Sequence, residues 1–114
     1  MINYHREIRT ALNTILPTHY EMSLTSGTKT PCISYMEVSN YDSTIGSYQV
    51  YSRLQFQIKV WANDIAIIQD NALKVDECMR KLGFSRTNSF DMYDNNSSMI
   101  QKIMTYEAQA HELV

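Results

Sequence analysis

Tyr48-Gln49-Val50-Tyr51-Ser52-Arg53-Leu54-Gln55-Phe56-Gln57-Ile58-Lys59-Val60-Trp61-Ala62 decides the fold. Tyr48, Val50, Leu54, Phe56, Ile58, Val60 and Ala62 fall on one side of a period of two, interrupted only by Ser52. Gln49, Tyr51, Arg53, Gln55, Gln57, Lys59 and Trp61 fall on the other. That alternation is the pattern of a β-strand with one buried face. At about 3.3 Å per residue the stretch spans roughly 50 Å, against about 17–20 Å for an ordinary strand. A chain of 114 residues has too little mass to cover it, so the strand is expected to pair with the one before it in a long hairpin projecting beyond the body.

Upstream, alternation runs from Cys32 to about Tyr41, with Ser34, Met36 and Val38 on one side and Ile33, Tyr35 and Tyr41 on the other. Large side chains on both sides predict a strand covered on both faces. Asp42 to Ser47 reads as a polar turn. Further back, Tyr4, Ile8, Ala11, Leu12, Ile15 and Leu16 predict a helix from about Asn3 to Leu16, ended by Pro17. Tyr20, Met22 and Leu24 then predict a short strand, and Thr25 to Pro31 a loop.

Downstream, Asn63 or Asp64 caps a second helix reaching Leu82, with Ile65, Ile68, Ala72, Val75, Met79 and Leu82 as its core stripe. Arg80 and Lys81 suit the negative end of the helix dipole, and Gly83 supplies the stop. Phe84, Phe90 and Met92 are expected on one face of a weaker strand. Asp94 to Ser97 makes a turn, and Met99 to about Ala108 a last strand. The order α-β-β-β-α-β-β predicts a single α+β domain over 1–114, a mainly antiparallel sheet with two helices on one face.

Composition narrows the function. Net charge is −2, and the basic residues are scattered, with Arg80-Lys81 their only adjacent pair. A nucleic-acid binder concentrates them on a patch. The segment Met1 to Arg6 lacks the apolar core of a signal peptide, and no apolar run reaches the roughly 18 residues of a membrane span. The two cysteines, Cys32 and Cys78, form no CxxC, and a cytosolic setting with reduced thiols is expected. Eight tyrosines and seven methionines suit surfaces that become buried on contact.

No catalytic, metal or cofactor site is predicted. His5, His19 and His111 stand apart, where a metal needs clustered ligands, and they read as surface or cap residues. Cys78 reads as a small core hydrophobe. Asp70, Asp76 and Glu77 invite an acid/base reading, but Lys74, Arg80 and Lys81 interleave with them, as on a solvated, salt-bridged face. The candidates left are for an interface: Tyr51 and Trp61 on the polar side of the long strand, and Tyr41, Ile45 and Tyr48 around the hairpin tip. The competing reading of Trp61 tucks it under the helix that follows.

Several stretches together resemble the tail terminator (tail completion, or tail-to-head joining) proteins of long-tailed bacteriophages. They are Pro31-Cys32-Ile33-Ser34-Tyr35, Phe56-Gln57-Ile58-Lys59-Val60-Trp61-Ala62, Leu82-Gly83-Phe84 and Lys102-Ile103-Met104-Thr105-Tyr106-Glu107, in an element order that spans nearly the whole chain. The resemblance implies a non-enzymatic virion protein at the tail-head junction, assembled in the bacterial host cytoplasm. It implies a homo-oligomer, typically a hexameric ring, that caps the tail tube protein, stops its polymerisation and meets a head-completion or connector protein. DNA would pass through such a ring without sequence-specific binding. A head-completion or neck ring protein is the alternative within this class. A small ligand-binding or regulatory α+β domain and an enzyme are the alternatives outside it, and a deep pocket with converging polar groups would favour either.

Overall fold

A computed structural model describes residues 4–21, 29–45, 48–94 and 98–110, with side-chain surroundings given throughout these ranges except over 39–52, 94 and 109–110. Its elements are α1 (His5–Leu12), β1 (Thr18–Tyr20), β2 (Cys32–Ile45), β3 (Tyr48–Ala62), α2 (Ile65–Lys81), β4 (Ser85–Asp94) and β5 (Met99–Ala110). The five strands form one sheet in the order β1-β2-β3-β5-β4, antiparallel except for the β1–β2 pair. The α+β class and the element order are as the sequence predicts.

The core lies between the sheet and both helices. Leu54, Phe56, Ile58, Val60 and Ala62 of β3 point to it, each at most 1% exposed. They sit beside Ile33 and Tyr35 of β2 and Met104 and Tyr106 of β5. Ile8 and Leu12 of α1 and Ile68, Ala72, Val75 and Met79 of α2 close over them. Phe84 meets Phe56 edge-to-face at 5.8 Å and Tyr4 at 5.6 Å, the geometry that ring quadrupoles prefer.

Local chemistry sets the helix ends. The Asp64 carboxylate accepts the Ala66 N–H at 2.8 Å, so it is Asp64 that caps α2. Gly83 takes φ 94°, and the N–H groups of Gly83 and Phe84 return to the carbonyls of Arg80 and Met79. This is the left-handed stop that favours glycine. α1 is shorter than its apolar stripe predicts. After Leu12 the chain tightens to three-residue bonds, Thr14 N–H to Ala11 and Ile15 N–H to Leu12, and the Asn13 side chain accepts the Thr18 N–H. Pro17 also disfavours helical backbone at Leu16.

Three other expectations need correcting. Asp42 to Ile45 is strand, not turn, because Tyr48 to Ser52 supplies a partner for each residue; Gly46 and Ser47 lie outside the described residues, as do Met22 and Leu24. Ile65 is 48% exposed and leaves the core stripe, since as the first helical residue it precedes the turn that packs on the sheet. Phe84 is buried while Phe90 and Met92 are exposed on the other face. The shift in register between Arg86 and Asn88 inserts an extra residue, which reverses the alternation.

Candidate assembly surface

The long β2–β3 hairpin gives the molecule its shape, 51 × 25 × 22 Å. The β3–β5 ladder runs from Ala62↔Ile100 to Ser52↔Ala110. Past it, Ser43↔Tyr51, Thr44↔Gln49 and Ile45↔Tyr48 pair only with each other among the described residues. β1 supplies partners for Ile33, Ser34 and Tyr35 and then ends, so β2 beyond Tyr35 has β3 as its sole described strand neighbour. Of the five interface candidates, Ile45, Tyr48 and Tyr51 lie in this arm by their backbone and Tyr41 just before it, opposite Arg53, and the side chains of all four lie outside the described ones.

Trp61 can be placed fully. It shares a rung with Cys32 and Gln101 on the face of the sheet opposite the helices, so it does not tuck under α2. Its indole Nε1–H donates to Ser34 Oγ at 2.9 Å. The Lys59 ammonium sits 6.0 Å from its ring centroid and also pairs with the Glu21 carboxylate. Ser34, wholly buried, lies beneath this group. Burial raises the pKa of the neighbouring Cys32 thiol, which keeps it protonated and unreactive. The cover expected on both faces of β2 is therefore real at its first residues and has ended at Val38, 47% exposed.

The rest of this helix-free face is apolar in patches. Ile103 is 4% exposed between Lys59 and Phe90, while Phe90 and Met92 on β4 are 42% and 51% exposed. β4 is an edge strand, exposed over all of 85–93.

On the helix side, Asp76 gathers a polar network that sequence alone did not reveal. Tyr106 Oη–H donates to Asp76 Oδ1 at 3.1 Å, Arg80 reaches Oδ2 at 3.0 Å, and Arg86 stands 3.6 Å from Oδ1. Burial, then the Asp76 charge and the hydrogen bond to it, hold the Tyr106 phenol well above its usual pKa, against the opposing pull of Arg86 and Arg80. A neutral phenol and a carboxylate already shared among three donors suit a tie between α2 and the sheet better than acid/base chemistry. The open cleft above, about 290 Å³, is lined by Asp76, Arg80, Phe84, Ser85 and Arg86. Asp70–Lys74 and Glu77–Lys81 form the expected ion pairs.

His5 is not the plain surface residue expected. Its ring packs against Tyr20, Tyr35 and Phe56 at 5.3–5.9 Å, with Nε2 3.6 Å from Glu37. Among the described residues no three His, Cys, Asp or Glu gather as metal ligands, and no helix is long and apolar enough to cross a membrane.

No protein-family model matches the sequence, and no curated protein is significantly similar to it. In fold the chain is similar to a chain of the solved virion of a native gene transfer agent (GTA) particle, with a TM-score of 0.65. The likeness covers 92% of this chain and 84% of that one, at 13% identity. At such identity it is a likeness of fold.

Proposed function

We propose that this chain is a structural protein of a phage-like virion, acting as a tail terminator: a ring, of six copies in the simplest case, that caps the tail tube, stops its growth and receives the head. The observation that carries the reading is the likeness in fold, over 92% of the chain, to part of a gene transfer agent virion. The tail-capping role is drawn from the resemblance of Pro31–Tyr35, Phe56–Ala62, Leu82–Phe84 and Lys102–Glu107 to that family. The arm of the hairpin past the β3–β5 ladder supports it, since a ring needs head-to-tail contacts that close, and an arm reaching a neighbour is one way to make them. The partners would be the tube protein on one side and a head-completion protein on the other.

Negative-stain imaging of the purified protein, alone and on isolated tails, tests this reading. A ring with a central hole, at the end of the tube, is expected. A chain that remains monomeric when recovered from intact tails would sink it. Ile45→Asp at the hairpin end should give tails of irregular length, or tails that fail to join heads, with little change in melting temperature.

A further inference from the structure

We infer that β4 of one copy pairs with the outer edge of β2 over 39–43 in the next, so that the sheet continues from subunit to subunit; this rests on the ring reading and specifies its contact. Among the described residues, two edges of the sheet lack a further strand partner. One is β4, whose only described strand partner is β5. The other is β2 over 39–43, past its pairing with β1 at Ile33 to Tyr35, where β3 is the only described strand partner. Open edges present unpaired backbone donors and acceptors, and proteins usually blunt them with charged side chains (lysine above all), proline, bulges or a covering segment. Neither 88–94 nor 39–43 contains a lysine, a proline or a bulge.

The edges are also matched in sense and length. β2, β3, β5 and β4 each run antiparallel to the next, so β4 runs opposite to β2. A copy placed beside another with its helices on the same side therefore brings β4 against the neighbour's β2 in the antiparallel sense. Bulges interrupt β4 at Arg86/Asn88 and β2 at Glu37/Ser39 and Ser43/Thr44. Between them lie regular runs, Asn88 to Asp94 and Ser39 to Ser43, and the shorter is an ordinary strand length of about five residues. Keeping the faces of the two sheets continuous requires a register such as Asn88↔Ser43, Phe90↔Tyr41 and Met92↔Ser39. Phe90 and Met92, exposed in the single subunit, then gain cross-strand neighbours. The contact is heterologous, β4 to β2, and so can close a ring.

The test is amide hydrogen exchange and mass measurement on the full chain over a range of concentration. On assembly, the alternate amides of 88–94 and 39–43 that point away from β5 and β3 should slow by about tenfold or more, as newly paired strands do. Phe90→Asp and Met92→Asp, each made separately, should keep the subunit folded and shift assembly to at least about tenfold higher concentration. Assembly that leaves both segments unprotected, or that both variants enter as readily as wild type, overturns edge pairing and leaves the ring reading standing. A particle that stops at two copies with only 88–94 protected means that β4 pairs with itself, which also overturns it. A wild-type chain monomeric at every concentration overturns self-pairing, whereas the virion reading is decided on intact tails.

Discussion

Phe56 and Phe90 stand on opposite faces of the same sheet and mark two kinds of surface. Phe56 is wholly buried, its ring in edge contact with His5 and Phe84, under a layer built by α1 and α2. Phe90 is 42% exposed on an edge strand with no described helix over it. Both are phenylalanines in alternating strands, and what separates them is whether this chain supplies the covering layer. One face is finished by folding. The other keeps apolar residues that folding alone does not bury.

The largest expected effect is on the finished face. Phe56→Ala should cost about 3–5 kcal/mol of subunit stability, as deletion of a fully buried aromatic ring does. That is a large part of the ~5–15 kcal/mol typical of a domain. Phe90→Ala should cost about 1 kcal/mol or less, the scale of a cross-strand pair. Chemical denaturation of both variants measures the contrast directly. Equal losses would mean that the two faces are equally buried and that the division drawn between them is wrong.

Next in size comes Ser34, where the helix-free face is closed by polar contacts. Ser34→Ala removes the acceptor for the Trp61 indole and should cost about 1–2 kcal/mol, because the indole left without it is part-buried. Indole fluorescence should shift at the same time, because Trp61 is the only tryptophan. An unchanged spectrum and unchanged stability would show that the Trp61–Ser34 bond does not hold this corner.

The covered face was legible because its signal is repeated. Leu54, Phe56, Ile58, Val60 and Ala62 each state the same alternation, and Ile68, Ala72, Val75 and Met79 each state the same helical stripe. Bulges were not legible: one inserted residue near Thr87 moved Phe90 and Met92 to the opposite face from Phe84, and nothing in the local sequence marks it. The extent of the hairpin was hidden for another reason. Asp42-Ser43-Thr44 has turn composition, and only its ladder with Tyr48 to Ser52 makes it strand. The Asp76–Tyr106 tie joins residues 30 apart in the chain, so spacing could not show it, although a tyrosine on the core side of β5 needs a partner for its hydroxyl. Trp61 was readable as unusual, but the sheet face it occupies was settled only by the fold.

That Asp76–Tyr106 tie gives a smaller, pH-dependent effect. Tyr106→Phe should cost about 1 kcal/mol near neutral pH, the net worth of one hydrogen bond. In the folded chain the Tyr106 pKa is raised, so the stability it contributes is present below the unfolded value of about 10 and is lost as pH rises from there toward the folded value. Wild-type stability should therefore fall more steeply above pH ~10 than that of Tyr106→Phe, by up to ~1.4 kcal/mol per pH unit. Parallel curves for the two proteins would show that the phenol is not held neutral by Asp76 and by burial.

The smallest effect belongs to Leu73, on the outside of α2. Val75, two residues on, is wholly buried, while Leu73 is 72% exposed and faces away from the sheet. Lysine has nearly the helix propensity of leucine. At this position it would stand three residues after Asp70, three before Asp76 and four before Glu77, spacings at which opposite charges attract by a few tenths of a kcal/mol. Leu73→Lys should therefore leave subunit stability within about 0.5 kcal/mol, with any change upward. Thermal melts at low protein concentration isolate that effect, because assembly adds its own stabilisation as concentration rises. A loss above ~1 kcal/mol for the dilute subunit would show that Leu73 is packed by some part of this chain. The outside of α2 would then be a finished surface like the one beneath it. If the dilute subunit is unchanged but assembly weakens, the outer face of α2 is a contact between copies in addition to the β4 edge.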